Sequence, residues 1–355
     1  MPVSIKDIAK LAGVSHSTVS RALRNSPLIP EATAERIREI ARESGYTASA
    51  IGRGLVTNKT EAIGVVVTSI ADPFNGEVVA GIEEVANRHG YSVILANSLA
   101  EPEREIAAVR GFQARRVDGI VVASSRLGAL HSRLLAELRI PMVLLNNQHP
   151  SGFTNTVSVD NVHGAYRATL HLVKLGHKKI GYLGDKFGLH SEVERYAGYR
   201  KMMAEAGLQV RKEFVLQGDG KPEAALGAAA ELLARPDRPT ALFCYNDMTA
   251  LGALHAAARQ RISVPKELSV VGFDDIFFSR YLSAPLTTVA QPKRQLGSRA
   301  TRLLLSVLAG KTTDTKVILR GQLVVRDSTA AVEENAPTSR FSPGKTRRPV
   351  LRNKV

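Results

Sequence analysis

Hydrophobic and polar positions follow two different patterns along the chain. Up to Tyr46, apolar residues recur every three or four positions, which is the spacing of amphipathic helices. From Ala62 onward, short apolar runs such as Ile63-Gly64-Val65-Val66-Val67 alternate with amphipathic stretches of helical length. Continuous β-branched runs are typical of parallel strands buried on both faces. The pattern therefore predicts a small all-α headpiece followed by an α/β core.

The core pattern predicts two doubly wound parallel-sheet subdomains, because strands and helices alternate throughout it. Helices are expected over about 75–89 and 103–114. The predicted strands cover residues 63–67, 92–96, 119–123, 142–145, 156–159, 179–183, 241–244 and 269–273.

A helix-turn-helix is predicted at the start of the headpiece. In Ser4-Ile5-Lys6-Asp7 a serine stands at the N-cap position with an acid three residues later, as in a capping box. Gly13 supplies the positive φ of a sharp turn, and Ser15 caps a second helix. The second helix of such a motif fits the major groove of DNA. The residues expected on the apolar face of the first helix are Ile5, Ile8, Ala9, Leu11 and Ala12.

The exposed positions of the second helix carry side chains suited to DNA, namely His16, Ser17, Ser20 and Arg21. An arginine can pair with guanine through two hydrogen bonds. Ser20 is equally suited to a phosphate contact or to a solvated face. A third helix is expected over about 31–44, with its arginines mostly on a solvated face.

Basic residues are in excess and concentrate at the two ends. The chain has 48 Lys+Arg against 33 Asp+Glu, a net charge of +15. Residues 1–60 contain nine basic and five acidic side chains, and residues 331–355 contain six and two. Such an excess favours a polyanionic partner, because phosphate neutralisation releases counterions. The single cysteine, Cys244, follows three apolar residues and is expected to be a buried thiol in a reducing compartment.

Two other function classes fit an α/β core, an enzyme and a transport-type solute-binding protein. The nine histidines lack metal-ligand spacing, and the chain has no Gly-x-Ser-x-Gly elbow, phosphate loop or dinucleotide fingerprint. No catalytic residue, metal or cofactor is therefore predicted. A transport protein would need a signal peptide, and no apolar signal region or membrane-spanning stretch is found. We expect a cytoplasmic, nucleoid-associated protein without a membrane partner.

Polar residues follow several of the predicted strands, namely Asp72, Asn146, Asn246 and Asp274. Ligands of doubly wound sheets lie beyond the carboxyl ends of the strands. Carboxylates and carboxamides pair well with vicinal hydroxyls, so these positions favour a sugar or other polyol. Asp247 is expected to cap the helix that follows it. Lys221 allows a sugar acid or sugar phosphate instead.

The run from Ile5 to Leu23 closely resembles the headpiece of the lactose/galactose-repressor (LacI/GalR) family. The resemblance extends to about residue 330. It implies a periplasmic-binding-protein-like type I core and a transcriptional repressor that binds a pseudo-palindromic operator in double-stranded DNA as a homodimer. The segments that carry it in the core are 159–161, 175–180, 195–199, 246–252, 272–275 and 285–289.

The resemblance also implies roles for individual residues. The base readers are His16, Ser17 and Arg21. Leu55 is the residue that enters the minor groove from a hinge helix, and Gly52 and Gly54 are expected to make that helix hard to order. His177 is expected to be structural. Further DNA contacts are expected from Ser4, Ser15, Thr18 and Ser20, and effector contacts from Phe74, Asn146, Arg195, Asn246 and Asp274.

The expected domain limits follow from these patterns. The basic tail lacks leucine heptads, which favours a dimer over a tetramer. It is expected to be disordered, either solvated without a role or adding nonspecific DNA affinity. The expected regions are a headpiece at 1–46, a hinge at 47–61, a core at 62–330 and a tail at 331–355. Within the core, the N-subdomain is expected at 62–160 plus 291–321, and the C-subdomain at 161–290 plus 322–330.

Overall fold

The computed structural model describes residues 3–46, 59–123, 140–147, 155–311 and 315–332. The chain divides into two compact units. Unit 1 comprises Met1–Val159 and Pro292–Leu319, and unit 2 comprises Asp160–Gln291 and Arg320–Val355. Each unit is thus completed by a later segment of the chain. The predicted hinge position Leu55 and the tail from residue 333 lie outside the described residues.

The headpiece contains three helices, α1 (Ile5–Ala12), α2 (His16–Ala22) and α3 (Glu31–Glu43). The predicted capping box is present, because the Ser4 hydroxyl accepts a hydrogen bond from the Asp7 amide and the Asp7 carboxylate accepts one from the Ser4 amide. Gly13 ends α1 with a φ of 64°. The Ser15 hydroxyl accepts a hydrogen bond from the Thr18 amide at 3.1 Å and begins α2. The predicted helix-turn-helix is confirmed.

The headpiece core is built around Ile8, Val19 and Ile37, one from each helix and all fully buried. One expectation about its apolar face is wrong, because Leu11 is 64% exposed. At 3.6 residues per turn, Leu11 lies roughly 110° from the centre of the face that Ile8, Ala9 and Ala12 form. The buried face of α1 is therefore narrower than the distribution of its hydrophobic residues predicts.

Unit 1 contains a six-stranded sheet in which every neighbouring pair is parallel, in the order β11-β5-β4-β3-β1-β2. Its strands are β1 (Ala62–Val67), β2 (Ser92–Asn97), β3 (Gly119–Ala123), β4 (Met142–Leu145), β5 (Thr156–Val159) and β11 (Lys316–Leu319). Its core helices are α4 (Pro73–Arg88), α5 (Pro102–Ala114) and α10 (Lys293–Leu308).

Unit 2 contains a second six-stranded sheet, in the order β12-β10-β9-β8-β6-β7. Its pairs are parallel except that β12 runs antiparallel to β10. The strands are β6 (Ile180–Asp185), β7 (Val215–Gly218), β8 (Ala241–Cys244), β9 (Ser269–Asp274), β10 (Thr287–Ala290) and β12 (Gln322–Val324). The helices are α6 (Asn161–Lys174), α7 (His190–Glu205), α8 (Pro222–Leu233) and α9 (Asp247–Arg259), with 3-10 turns at Lys212–Phe214 and Phe277–Tyr281.

Four strands lack the continuous apolar run from which the other strands are predicted. Strands β7, β11 and β12 have partly exposed residues at the sheet edges. Strand β10 lies inside its sheet, but its hydroxyl residues Thr287 and Thr288 interrupt the apolar pattern. Cys244 is fully buried in β8, as expected. Within the described ranges, no helix is both long and apolar enough to cross a membrane.

Helices α4 and α10 of unit 1 approach each other through glycines. A Cβ atom on Gly81 would lie 2.2 Å from the carbonyl oxygen of Arg294, and one on Gly297 would lie 2.1 Å from that of Val78. Both obstacles are backbone atoms, which cannot rotate away as a side chain can. The close packing of the two helices therefore depends on the missing methyl groups.

Gly81→Ala is predicted to lower the free energy of unfolding by about 2 kcal/mol or more, because the two helices must move apart. Gly76→Ala in the same helix is the control. A Cβ there meets nothing within 4 Å, and alanine is favoured over glycine in a helix by up to about 1 kcal/mol. Urea unfolding of both variants checks this, and equal midpoints would contradict it.

Candidate DNA-reading and effector sites

Helix α2 divides into a buried and an exposed face. Val19 and Ala22 are buried against the other headpiece helices, whereas His16, Ser17 and Arg21 are exposed. The three residues that the family resemblance makes base readers therefore share the solvent side of one short helix. An exposed helix of this width fits the major groove.

Hydroxyl groups cluster at the start of α2. The Ser15 Oγ lies 2.8 Å from the Ser17 Oγ and 2.9 Å from the Thr18 Oγ1. Ser4 is similarly used in its own helix cap. These residues hold the helix starts in place, and the three serines are exposed, which leaves them available for a phosphate oxygen.

Two headpiece arginines have roles that their sequence positions do not reveal. Arg24 donates to the Ser20 Oγ at 2.5 Å and to the Ser20 carbonyl at 3.0 Å. The half-buried Ser20 therefore fixes the orientation of the Arg24 guanidinium. Arg36 on α3 donates to the Ala12 carbonyl at the end of α1. Arg36 is exposed, as expected for the solvated face of α3, and its hydrogen bond also connects α3 to the end of α1.

Arg195 of α7 is buried at the carboxyl edge of the unit 2 sheet. Its Nε donates to the Asn161 Oδ1 at 3.0 Å and its Nη1 donates to the Tyr245 carbonyl at 2.5 Å. Its guanidinium lies 3.8 Å from the ring centroid of Phe273, and its Nη2 lies 3.8 Å from the Asp274 Oδ1. The structure thus brings together Arg195 and Asp274, two of the predicted effector residues.

The backbone at Asp274 is strained. Asp274 has a φ of 120° and Asp275 has a φ of 52°, both in the region that side chains other than glycine rarely adopt. Such residues typically cost about 1–3 kcal/mol and cluster at ligand sites. Arg326 holds the loop through an ion pair of 2.6 Å with Asp275. The side-chain amide of Gln291 donates to the Asp274 Oδ1 at 2.6 Å.

The helix cap after β8 is Asn246, so the expectation that Asp247 caps α9 is wrong. The Asn246 Oδ1 accepts from the Thr249 amide at 2.8 Å. Asp247 instead points inward, where it accepts hydrogen bonds from Ser279 at 2.6 Å and Thr288 at 2.5 Å. Burial raises the pKa of Asp247 to about 6, although these bonds oppose the shift. Asp247 braces the segment that follows Asp274.

The loop after β7 lies beside these residues. The Asn246 Nδ2 donates to the Gly220 carbonyl at 3.1 Å. A Cβ on Gly220 would lie 3.3 Å from the Asp185 Oδ2 and 3.7 Å from the Tyr245 ring. Gly220 has a φ of 77°, which explains a glycine there. The side chain of Lys221 is exposed.

A buried carboxylate, Glu192, supports the same edge of the sheet. The Tyr182 hydroxyl donates to the Glu192 Oε2 at 2.9 Å, and the Asp185 backbone amide donates to the same carboxylate. Burial raises the pKa of Glu192 to about 7, above its ordinary value of 4.5. The pKa of Tyr182 is also raised, first by burial and then by Glu192.

The remaining predicted effector residues belong to unit 1. Phe74 is buried in the first turn of α4, where the Asp72 carboxylate accepts from its amide at 3.0 Å. Asp72 therefore caps a helix. Asn146 follows β4 with a φ of 47° and donates its backbone N–H to Val157 at 2.8 Å. Both follow carboxyl ends of parallel strands in one sheet.

His177 is held on both ring nitrogens, by Thr240 at 2.9 Å and by Ser269 at 3.0 Å. Burial lowers the pKa of His177, which favours the neutral ring. These contacts agree with the structural role expected for it. In the described part of the chain, no group of three or more His, Cys, Asp or Glu residues is arranged to hold a metal ion.

Comparison with known proteins identifies two regions of the chain. Residues 4–49 match the family described as bacterial regulatory proteins, lacI family, and residues 169–329 match the periplasmic binding protein-like domain. The HTH-type transcriptional repressor PurR of Photobacterium profundum is 36% identical over 327 residues, which are 92% of this chain and 98% of that protein. The chain belongs to the lacI family of bacterial regulatory proteins. It is a DNA-binding transcriptional regulator of the repressor type.

Solved structures of lacI-family proteins agree with this assignment. The Lac repressor dimer bound to operator and the anti-inducer ONPF has a TM-score of 0.86 at 28% identity, covering 93% of this chain and all of that chain. A LacI family regulator from Enterococcus faecium with bound ribose has a TM-score of 0.70 at 26% identity, covering 77% of this chain and all of that chain. The CelR–cellobiose complex has a TM-score of 0.70 at 28% identity, covering 92% and 99%. The predicted fold class is confirmed.

Two polar residues at the carboxyl edge of the unit 2 sheet are not predicted from the sequence. Asp185 is the last residue of β6, and Gln291 follows β10 directly. Both lie at carboxyl ends of strands, where ligands of doubly wound sheets bind, as Asn246 and Asp274 do. The predicted strand at 179–183 ends too early to include Asp185. The sequence does not predict strand β10, so it gives no strand end at which Gln291 would be expected.

The environment of Glu192 predicts that the free energy of unfolding depends on pH. Between about pH 4.5 and pH 7 the folded chain holds a proton on Glu192 that the unfolded chain has lost. The free energy of unfolding therefore falls as the pH rises through this window. Glu192→Gln mimics the protonated form, so at pH 8 it is expected to exceed the original protein in stability by about 2 kcal/mol.

Thermal unfolding of both proteins at pH 5 and pH 8 measures this difference. At pH 5 the two midpoints should be close, because Glu192 is then protonated in the folded protein. Parallel pH profiles for the two proteins would show that Glu192 carries its charge when folded.

Proposed function

We propose that this protein is a repressor that binds a pseudo-palindromic operator as a homodimer and is controlled by a small-molecule effector. The observation that carries the proposal is the exposure of His16, Ser17 and Arg21 on one face of α2 within a confirmed helix-turn-helix. Arg21 supplies the two-pronged donor that guanine accepts, and His16 and Ser17 supply shorter donors and acceptors. Ser4, Ser15, Thr18 and Ser20 are proposed to position the headpiece on phosphates.

The effector is proposed to be a sugar or a sugar derivative. The support comes from the polar side chains at the strand ends of unit 2, where Arg195 and Asp274 lie within 3.8 Å of each other. Two of the related regulators were solved with ribose and with cellobiose. The proposed contacts are Phe74, Asn146, Arg195, Asn246 and Asp274.

Dimer formation is supported by exposed apolar side chains. Phe277, Phe278 and Tyr281 form an aromatic cluster on the surface of unit 2, with ring centroids 5.6 Å and 5.1 Å from Phe277. Ile94 and Leu95 are exposed on the edge strand β2 of unit 1. Large apolar residues grouped on a surface mark interaction sites. A second copy of the chain is the proposed occupant.

Arg21→Ala is predicted to weaken operator binding by about 1–3 kcal/mol and to relax preference at one base pair, because a two-pronged contact to a base is lost. Arg104→Ala is the control, since it removes the same charge from an exposed ion pair that Arg104 on α5 forms with Glu101. Fluorescence anisotropy with an operator selected from random DNA measures both variants. Equal losses in the two variants would show a nonspecific charge effect only.

Phe278→Asp is predicted to convert the dimer to monomers, because it places a charge in the aromatic cluster. Phe187→Asp is the control, since both phenylalanines are 52% exposed but Phe187 lies outside the cluster. Sedimentation velocity at micromolar concentration separates the two species. A dimeric Phe278→Asp variant would remove the aromatic cluster from the proposed interface.

A further inference from the structure

Basic side chains gather at the amino edge of the unit 2 sheet, the edge where its parallel strands begin. Four segments lead from the end of a helix to the start of the next strand there, namely 174–179 before β6, 205–214 before β7, 233–240 before β8 and 259–268 before β9. Strands β7, β6, β8 and β9 are parallel neighbours in this order, so the four segments lie side by side. We call these segments the amino edge of unit 2.

The amino edge of unit 2 has ten basic residues and four acidic ones, an excess of six positive charges. The acidic residues are Glu205, Glu213, Asp237 and Glu267. The basic residues are Lys174, Lys178, Lys179, Arg211, Lys212, Arg235, Arg238, Arg259, Arg261 and Lys266.

Four of the ten cations are held in ion pairs. The Asp237 carboxylate pairs with both Lys179 and Arg211, and the Arg211 Nη1 lies 2.5 Å from its Oδ2. Hydrogen bonds from Lys179 and then from Arg211 lower the pKa of Asp237. The other pairs are Arg211–Glu213 at 2.8 Å, Arg235–Glu231 at 2.7 Å and Arg238–Glu267 at 3.2 Å.

The other six cations are exposed and form no ion pair with a described residue. A cation near the end of a helix stabilises that helix through its dipole, which accounts for Lys174 and Arg259. Lys178, Lys212 and Lys266 lie outside the α-helices, so helix stabilisation does not account for them. Grouped like charges repel one another unless a partner of opposite charge covers them.

The amino edge of unit 2 fits a phosphate backbone better than an acidic protein. Among its described neighbours, Val332 is the one large apolar side chain that is exposed. Protein interfaces depend on apolar and aromatic anchors at their centre, whereas DNA phosphates need only cations spaced along a surface. A surface with cations and almost no apolar side chains therefore favours DNA.

The chain continues from this same edge into the basic tail. The Val332 amide donates to the Leu175 carbonyl at 2.9 Å, between the first two cations of the edge in sequence, Lys174 and Lys178. The next residues, 333–355, contain six basic and two acidic side chains. The tail therefore adds positive charge where the sheet edge already has an excess.

We infer that the amino edge of unit 2 binds the phosphate backbone of a second DNA duplex, without sequence preference, while the headpieces hold the operator. One repressor would then bridge two segments of DNA. The inference goes beyond the proposed control by an effector and depends on no effector contact.

A second duplex tests this surface once the headpieces are occupied. The full-length protein is saturated with unlabelled operator, and a labelled duplex without operator sequence is titrated by fluorescence anisotropy at low salt. The edge variant combines Lys178→Gln, Lys212→Gln and Lys266→Gln. It is expected to bind the second duplex at least about tenfold more weakly than the original protein, because three phosphate contacts are lost.

The control variant combines Lys186→Gln, Lys311→Gln and Lys316→Gln. These lysines are also exposed, and they lie outside the amino edge of unit 2. Their removal lowers the net charge by the same amount, so the control variant should bind the second duplex like the original protein. Equal losses in the two variants would show a general charge effect and overturn the inference.

The salt dependence gives a second readout. The slope of log K against log salt falls by about 0.9 for each phosphate contact that is lost. The edge variant should therefore lose up to about 2.7 from the slope for the second duplex, and the control variant should keep the original slope. An unchanged slope in the edge variant overturns the inference.

Poly-L-glutamate as a competitor tests the choice of DNA over an acidic protein. B-DNA has one charge per about 1.7 Å, whereas an extended polypeptide has one residue per about 3.3–3.6 Å. Poly-L-glutamate should therefore compete more weakly than unlabelled duplex at equal charge concentration. Equal competition overturns the assignment to DNA and favours an acidic protein.

The remaining outcomes separate this inference from the proposed function. If the operator-saturated protein binds no second duplex, the inference is overturned and the repressor function stands. If no operator can be selected from random DNA, the proposed operator binding fails. The two variants are then compared on the duplex without operator sequence, where a selective loss in the edge variant still supports the inference and equal affinities overturn it.

Discussion

The buried guanidinium of Arg195 joins its own helix, α7, to three other parts of unit 2. It contacts the start of α6 through Asn161, the end of β8 through the Tyr245 carbonyl, and β9 through Phe273. A buried charge is tolerated only when it is paired and hydrogen-bonded, so each of these contacts must keep its geometry. The carboxyl ends of β8 and β9 are therefore held in register with α7, and Asp274 is presented from a rigid frame.

The strand ends of this fold carry polar residues for two different reasons. Asp72 and Asn246 accept hydrogen bonds from the first turns of α4 and α9, where unpaired amides require an acceptor. Asp274 and Gln291 begin no helix, and their side chains bond to each other. The preference of ligands for the carboxyl ends of strands identifies an edge of the sheet. Only the neighbouring backbone shows which of the side chains there already accept hydrogen bonds within the protein.

The features that could be predicted from the sequence are those that depend on residues close to one another along the chain. The capping box of Ser4 and Asp7, the positive φ of Gly13 and the apolar strands depend on residues close in sequence, so the headpiece and most of both sheets could be read from it. The remaining features depend on tertiary neighbours. Arg36 bonds to Ala12 across 24 positions, and Gln291 bonds to Asp274 across 17. Periodicity contains no information about such pairs.

The unfavourable backbone at Asp274 is maintained by contacts from distant parts of the chain. Asp274 and Asp275 have positive φ values, which typically cost about 1–3 kcal/mol each. The Arg326 guanidinium pairs with Asp275, and the Gln291 amide donates to the Asp274 Oδ1. Buried Asp247 accepts from the backbone amide that follows Asp275. Because these partners oppose the cost of the strained backbone together, the position of the Asp274 carboxylate depends on residues that lie far from it in sequence.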